Sequence, residues 1–324
     1  HINKYLLSSK NIFSKTEKQC NIKIFLNKIN KILIKKIKHS DLIAKLCLKL
    51  IEDLYSSQNC PELNFNNAKE MSDIASNFNK NGYYVLENAI DSLLIMKARI
   101  ELSKIQKNEI KNNKAHLYGD NLNHQRVYNL IDKSELFIKI LNQSIISKVL
   151  DNLFDRETYH EKFFLSSFQS NTILPGAKTQ IWHIDANVPP PIPPWLMRVQ
   201  CAIILDDFTD KNGATEIIPK SHKLLRHPRP NEKIDSIKIK KIKAKAGSII
   251  LWHGNIWHRS TSNEGNMPRN ALLACFSTSF FREVCMEENF GRIINPNKLK
   301  KLPENIKRII GYNHGIKNGV KTYI

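Results

Sequence analysis

Gln180-Ile181-Trp182-His183-Ile184-Asp185 and, much later in the chain, Trp252-His253-Gly254-Asn255-Ile256-Trp257-His258 are the two stretches whose reading decides the fold. On an extended strand side chains alternate faces, so His183 and Asp185 point one way while Trp182 and Ile184 point the other. An imidazole and a carboxylate are thereby offered to one point. If a later strand brings His258 to the same point, two histidines and one carboxylate occupy one face of an octahedral ion, the set that selects non-haem Fe(II) and leaves positions open for chemistry. A His-x-Asp spacing alone is a weak signal, so the residues around it have to carry the argument.

The first of these is Arg269, eleven positions after His258, at the start of the apolar run Ala271-Leu272-Leu273-Ala274-Cys275-Phe276. The run reads as a buried strand, and a guanidinium at its mouth needs an anion. Its planar fork matches a carboxylate in two parallel hydrogen bonds, which suits the far end of a diacid co-substrate that chelates the metal by its other end. His253, on the same stretch as His258, is the rival for the distal ligand. The spacing to Arg269 and the His258-x-Ser260 pair favour His258.

With those pieces in place the chain resembles the phytanoyl-CoA dioxygenase-like Fe(II)/2-oxoglutarate oxygenases. The resemblance rests on Asn171 followed by Pro175-Gly176, on Gln180-x-Trp182-His183-x-Asp185, on Leu205-Asp206-Asp207, and on the run from Asn212-Gly213 through Pro219-Lys220-Ser221-His222. It continues through Ala246-Gly247-Ser248 to His258-x-Ser260, Asn263 and Arg269. It extends from about Phe78 to Tyr312 and leaves out the first seventy or so residues. The sequence departs from the pattern at Lys220, where a Gly is usual, and at Ala202, where some members place a Trp beside the co-substrate.

The resemblance implies a mainly β fold with flanking helices: a double-stranded β-helix (jelly-roll or cupin-like) barrel with helices packed on one side. It implies Fe(II), 2-oxoglutarate and O2 as cofactors, with His183, Asp185 and His258 as metal ligands. Arg269 and Ser260 would hold the distal carboxylate of 2-oxoglutarate, and Asn171 and Gln180 would add hydrogen bonds inside the barrel. As polar residues on strands, those two could equally satisfy backbone groups. The implied activity is hydroxylation of an organic substrate with release of succinate and CO2. A halogenase needs the carboxylate ligand absent, and Asp185 is present. The alternative from another class is a non-catalytic metal- or ligand-binding cupin-like module, against which Arg269 speaks, since a metal store has no use for a buried carboxylate fork.

Composition bounds the rest. With 324 residues and 41% hydrophobic content the chain can bury one large core with a small appendage. Its formal net charge of +20 invites a nucleic-acid reading, but Lys, Asn and Ile are abundant together, as A/T-rich coding would produce. No aromatic series interleaves with the lysines as a single-strand groove needs, so nucleic acid is not expected as a partner. A small-molecule or lipid-like substrate is. The oligomeric state is not legible. Cys20, Cys47, Cys60, Cys201, Cys275 and Cys285 form no Cys-x-x-Cys pair and read as reduced thiols, which with no visible signal peptide points to the cytoplasm. The chain starts at His1, which leaves a preceding leader open.

Residues 1–70 are expected to form a basic helical extension and residues 71–324 the oxygenase domain. Ile22 to Ile37 and Leu42 to Leu54 carry apolar residues at helical spacing among lysines. Such helices usually pack on their own protein, though a basic amphipathic helix can also lie on an anionic membrane. Further on, the patterns predict a helix over 68–80, a strand over 83–86, a helix from Asp91-Ser92 to about 112, an irregular polar loop over 114–130, and one or two helices over 134–153. Strands are expected from Phe163, over 198–205, over 234–242 and over 249–252, with Asn212-Gly213 as a hairpin turn.

Overall fold

The computed structural model describes residues 68–154, 162–186, 188–279, 296–312, 316–317 and 320–321, all within a compact unit that begins at Leu63. The expected helices over 22–54 lie outside the described residues, as do Cys20, Cys47, Cys60 and Cys285. The 70/71 boundary falls inside the first turn of helix α1 (Ala68–Asn81). That helix buries Met71, Ile74 and Phe78, spaced three and four apart as one helical face requires.

Strand β1 (Tyr83–Leu86) follows, then helix α2 (Ser92–Lys111), whose N-cap Asp91 accepts from the Leu93 and Leu94 amides and so satisfies two of the first-turn donors. Strands β2 (His116–Tyr118) and β3 (His124–Arg126) come next. Helices α3 (Leu130–Lys133), α4 (Glu135–Leu141) and α5 (Ser144–Leu153) lead to the long strand β4 (Phe163–Ile173). The remaining barrel strands are β5 (Arg198–Ile204), β6 (Thr215–Ile217), β7 (Lys240–Lys241), β8 (Ile249–His253), β9 (His258–Ser260) and β10 (Arg269–Thr278). Helices α6 (Pro296–Lys301) and α7 (Glu304–Ile309) and the small pair β11 (Ile316–Lys317) with β12 (Val320–Lys321) close the described chain. No helix among the described residues is long and apolar enough to cross a membrane.

The strands form a seven-stranded sheet in the order β1-β8-β5-β10-β4-β3-β2 and a three-stranded sheet in the order β7-β6-β9. Every pairing in both sheets is antiparallel. Alternation along the strands of the large sheet separates two cores. One face carries Val199, Cys201, Ile203, Ile249, Leu251, Leu272, Ala274 and Phe276, packed with Phe78, Leu102, Phe137, Leu150 and Ile306 from the helices. The other face carries Ala202, Ile204, Ile250, Trp252, Ala271 and Leu273, packed with Ile217, Phe208 and Ile242 from the side of the small sheet. This is the double-stranded β-helix with its helices on one side, as the resemblance implied. Phe78, Phe163 and Phe276 are all fully buried, and truncating any one to Ala would cost about 3–5 kcal/mol.

Three local expectations are corrected. Residues 114–130 are not a loop: β2 and β3 pair with each other and β3 pairs with β4, extending the large sheet at its edge. Asn212-Gly213 does not join a hairpin, because β5 lies in the large sheet and β6 in the small one, so the chain there turns a corner between layers. Of residues 234–242 only Lys240–Lys241 is a strand, preceded by a short 3-10 turn on which Ile237 is exposed.

Candidate metal and co-substrate site

Residues 180–183 run alongside β9. The Gln180 amide donates to Ser260 O at 2.9 Å, and His183 and His258 exchange backbone hydrogen bonds at 3.1 and 3.0 Å. Pairing stops there. The Asp185 and Ala186 amides both turn to Gly254 O, at 2.9 and 2.8 Å, so Asp185 sits just past the strand end rather than on it. Gly254 permits this approach, since a Cβ there would fall 2.8 Å from Arg198 Cβ and 3.3 Å from Ala186 Cβ. The result is that His183, Asp185 and His258 each offer a ligand atom, all within 4.8 Å of one another. His183 and Asp185 are half-buried and His258 is buried.

The imidazoles are oriented by the backbone. His183 Nδ1 lies 3.0 Å from Ile181 O and His258 Nδ1 lies 3.1 Å from Ile256 O. A carbonyl can only accept, so each Nδ1 carries the proton and each Nε2 presents a lone pair. His258 Nε2 stands 3.4 Å from Asp185 Oδ2. Burial pushes the His258 imidazole down to about 4 even with Asp185 beside it, so it is neutral at pH 7. Burial alone would raise the Asp185 carboxyl, but His258, His183, Arg198 and the Trp252 indole together hold it below its ordinary value of 3.8. Two electron-rich atoms therefore face each other at close range, an arrangement that a cation between them relieves.

His253 has the opposite chemistry. Its Nδ1 accepts the Asn255 amide at 3.0 Å, which leaves the proton on Nε2 and no lone pair there for a metal. Its ring lies against Phe78 at 6.2 Å and His222 at 5.0 Å, away from the triad. His222 in turn donates from Nε2 to Asn79 O.

Arg269 is almost fully buried. Its guanidinium lies 4.2 Å over the Phe208 ring and donates from Nη2 to Gly213 O at 2.8 Å, while Nε has no partner among the described residues. Burial lowers it to about 10, against the favourable fields of Asp206 and Tyr118, so it stays a cation. Ser260 Oγ and Asn171 Oδ1 are likewise buried without a partner. Gln180 is differently employed, since its Oε1 accepts the Ser260 amide at 3.2 Å and fastens β9. Sequence reasoning missed two residues at this site. Trp252 donates its indole N–H to Asp185 Oδ2 at 2.9 Å, and Arg198 donates to the Asp185 carbonyl. Trp252 stood in the quoted stretch, but only the pairing of β5 with β8 shows that it faces the barrel interior.

The fold and this donor set define a double-stranded β-helix protein with a two-histidine, one-carboxylate corner. Residues 78–271 match the sequence profile of phytanoyl-CoA dioxygenase (PhyH), and the chain belongs to that family. The dioxygenase FUM3 of Gibberella moniliformis is 28% identical over 47% of this chain and 50% of its own length. The dioxygenase sphC of Aspergillus fumigatus is 25% identical over 58% of this chain and 52% of its own. The chain thus spans about half the length of the curated relatives it matches. Among solved structures, the non-haem α-ketoglutarate-dependent epimerase SnoN of nogalamycin biosynthesis has a TM-score of 0.53 at 14% identity, covering 65% of this chain and 84% of that one. The α-ketoglutarate-dependent carbocyclase SnoK of the same biosynthesis has a TM-score of 0.53 at 16% identity, over 70% and 91%. The family's cofactor set is Fe(II), 2-oxoglutarate and O2, and the residues here fit it: two Nε2 lone pairs and a carboxylate for the ion, and a buried guanidinium with unsatisfied N–H for a carboxylate.

Proposed function

We propose that this protein is an Fe(II)- and 2-oxoglutarate-dependent dioxygenase that hydroxylates a small organic or lipid-like substrate with release of succinate and CO2. The observation that carries the reading is the pair of backbone-fixed Nε2 lone pairs converging on Asp185. In this reading His183, Asp185 and His258 hold the metal, and Trp252 keeps the Asp185 carboxylate ionised and aimed. Arg269 and Ser260 receive the distal carboxylate of 2-oxoglutarate, with Asn171 on the same barrel face. When bound, the iron and its co-substrate supply the oxidising chemistry. The protein supplies orientation and a dry wall, built from Ala202, Ile204, Ile250, Ala271 and Leu273.

The segment from α1 onward is the catalytic part, and the basic sequence ahead of it, with apolar residues at helical spacing, suits packing on its own protein or peripheral contact with an anionic membrane. The free, buried thiol of Cys201 suits a reducing compartment such as the cytoplasm.

The test is to incubate the purified protein with Fe(II), ascorbate and 2-oxoglutarate against a metabolite extract, following succinate and product masses together. One added oxygen per succinate supports hydroxylation. The fold neighbours named as an epimerase and a carbocyclase make two other outcomes informative. A product of unchanged mass, or one short of two hydrogens, would replace the hydroxylase by one of those reaction types. Absence of a metal-to-ligand charge-transfer band when 2-oxoglutarate meets the anaerobic Fe(II) protein would sink the oxygenase and leave the binding module.

A further inference from the structure

The β2–β3 pair takes no part in the triad, yet it carries loose ends of the same kind. Register sets Tyr118 opposite His124, His124 opposite Ile173 and Ile173 opposite Arg269. Tyr118, His124 and Arg269 therefore stand in one row across four adjacent strands, on the barrel face of the sheet. Each has a buried polar atom with no hydrogen-bond partner among the described residues: Tyr118 Oη, His124 Nδ1 and Arg269 Nε. His124 and Arg269 are themselves more than nine-tenths buried. The Tyr118 and His124 rings lie 5.0 Å apart, and the Arg126 guanidinium sits 5.3 Å over the Tyr118 ring. Arg269 is close enough to feel the Tyr118 phenol and to hold the His124 imidazole down, adding to burial and Arg126.

Two such atoms beside a buried cation whose own Nε is unpaired among the described residues need an explanation, because buried polar groups in folded proteins are almost always paired. Asp206 does not provide it. That carboxylate already holds Arg99 at 2.6 Å and accepts the backbone and side-chain N–H groups of Asn270 at 2.9 and 2.7 Å. A carboxylate ligand offers about four lone-pair sites, of which a guanidinium fork fills two. Beside the Ser260 hydroxyl, a phenol O–H and a neutral imidazole N–H are donors that can share the others without adding charge.

We infer that Tyr118 and His124 complete the pocket for the distal carboxylate of 2-oxoglutarate opposite Arg269, so that β2–β3 is the wall that distinguishes a dicarboxylic keto acid from one lacking that group. The inference rests on the oxygenase reading above. It makes Tyr118 and His124 positioning residues for the co-substrate, remote from the metal.

The experiment titrates 2-oxoglutarate, and separately pyruvate, into the anaerobic Fe(II) protein and reads the charge-transfer band, which both keto acids produce by chelation. Tyr118→Phe and His124→Leu are each expected to weaken 2-oxoglutarate by about tenfold and together by about a hundredfold, the usual loss for hydrogen bonds to a charged group. Pyruvate, with no distal carboxylate, should bind wild type and variants alike. His124→Asn, whose amide N–H can stand near the Nδ1 position, should recover most of the affinity and guards against a misfolded His124→Leu. Equal 2-oxoglutarate affinity in wild type and variants overturns the inference. So does an equal loss for both keto acids, which would mark a general distortion. A wild type that gives a band with neither acid fails at the oxygenase reading itself, and the inference falls with it.

Discussion

His253 and His258 stand five residues apart on one stretch, both buried, both on the flank of the same barrel, and they are built for opposite ends. The Nδ1 of His253 faces an N–H, that of Asn255, so its lone pair is used inside the protein and its proton sits on Nε2. The Nδ1 of His258 faces a carbonyl, that of Ile256, so its proton is used inside the protein and its lone pair is turned outward to Asp185. The first corner closes on itself, with Phe78 stacked on the His253 ring and His222 tilted against it. Glycine is required at its edge, because a Cβ on Gly82, at φ +84°, would meet His222 Nδ1 at 2.4 Å. The second corner is left open. Residue type and spacing are blind to this difference. The neighbour of Nδ1 decides it, since a donor there makes a structural histidine and an acceptor makes a ligand.

The hardest blow to this contrast would come from exchanging the two roles. His258→Ala should abolish iron binding, a loss well beyond the roughly 10- to 100-fold that removing a mere supporting hydrogen bond causes. His183→Ala and Asp185→Ala should do the same. His253→Ala should keep iron binding near wild type and lose roughly 2–4 kcal/mol of stability, from the cavity and the unpaired Asn255 amide. Equilibrium binding of Fe(II) alongside chemical unfolding reads both effects. If His253→Ala lost the metal and His258→Ala kept it, the tautomer argument would be wrong.

Arg269 extends the contrast from histidines to arginines. Both donate to a backbone carbonyl, Arg198 to that of Asp185 beside the triad and Arg269 from Nη2 to that of Gly213, but Arg269 is the more deeply buried and lies over the Phe208 ring. Arg269→Ala should leave iron binding unchanged and weaken 2-oxoglutarate by about thirty-fold to several thousand-fold, the equivalent of roughly 2–5 kcal/mol. Arg269→Lys keeps the charge without the fork and should fall between. Iron loss in either variant would show that Arg269 props the barrel rather than awaiting an anion.

Much of this was legible in the sequence because it is periodic or paired at short range. The helix from Asp91-Ser92, the strand from Tyr83 and the apolar run of β10 each announce themselves by spacing or a cap. The convergence of His183, Asp185 and His258 was expected from alternation, although Asp185 reaches the point from beyond the strand end, held by Gly254. What stayed hidden depends on register. His116 to Arg126 is polar and short, so it reads as loop, and only pairing with β4 makes it sheet. Asn212-Gly213 has hairpin chemistry, but which sheet receives the next strand is settled by the barrel's closure and not by the turn. Trp252 reads in the sequence only as the end of the strand over 249–252, and its indole N–H gains a role only because β8 pairs with β5 beside Asp185.

Acid sharpens the comparison of the two corners in a second way. Burial holds His253 near 3 and His258 near 4, against an ordinary value of 6.5. Between those values the unfolded chain takes up protons that the folded chain refuses, so stability rises with pH through the window and is lost as pH falls from about 6.5 towards 4. Each histidine contributes up to roughly 1.4 kcal/mol per pH unit there. The metal-free protein should therefore lose stability steeply over that range in urea titrations. His253→Asn, which keeps an acceptor for the Asn255 amide but cannot titrate, should reduce the slope by the share of one histidine, those of His258, His124 and His222 remaining. An unchanged slope would mean that His253 is not kept neutral by the fold.

The smallest expected effect tests whether the open corner is tuned or merely assembled. Trp252→Phe preserves an aromatic ring in the inner core, beside Ile250 and Leu273, and removes only the N–H that reaches Asp185 Oδ2 at 2.9 Å. The Asp185 backbone remains fixed by Gly254 and Arg198, so the carboxylate keeps its place. It loses one of the partners that hold its ionised form, and its carboxyl should titrate higher. Iron affinity should drop about tenfold, at the low end of what outer hydrogen bonds to metal ligands contribute. The loss should grow as pH falls, because protons then compete with iron for a more basic carboxylate. Measuring Fe(II) affinity at neutral pH and again in mild acid separates the two cases. A constant deficit at both would assign the effect to altered packing of the ring, and no deficit at either would return Trp252 to the core and leave the triad to stand on backbone geometry alone.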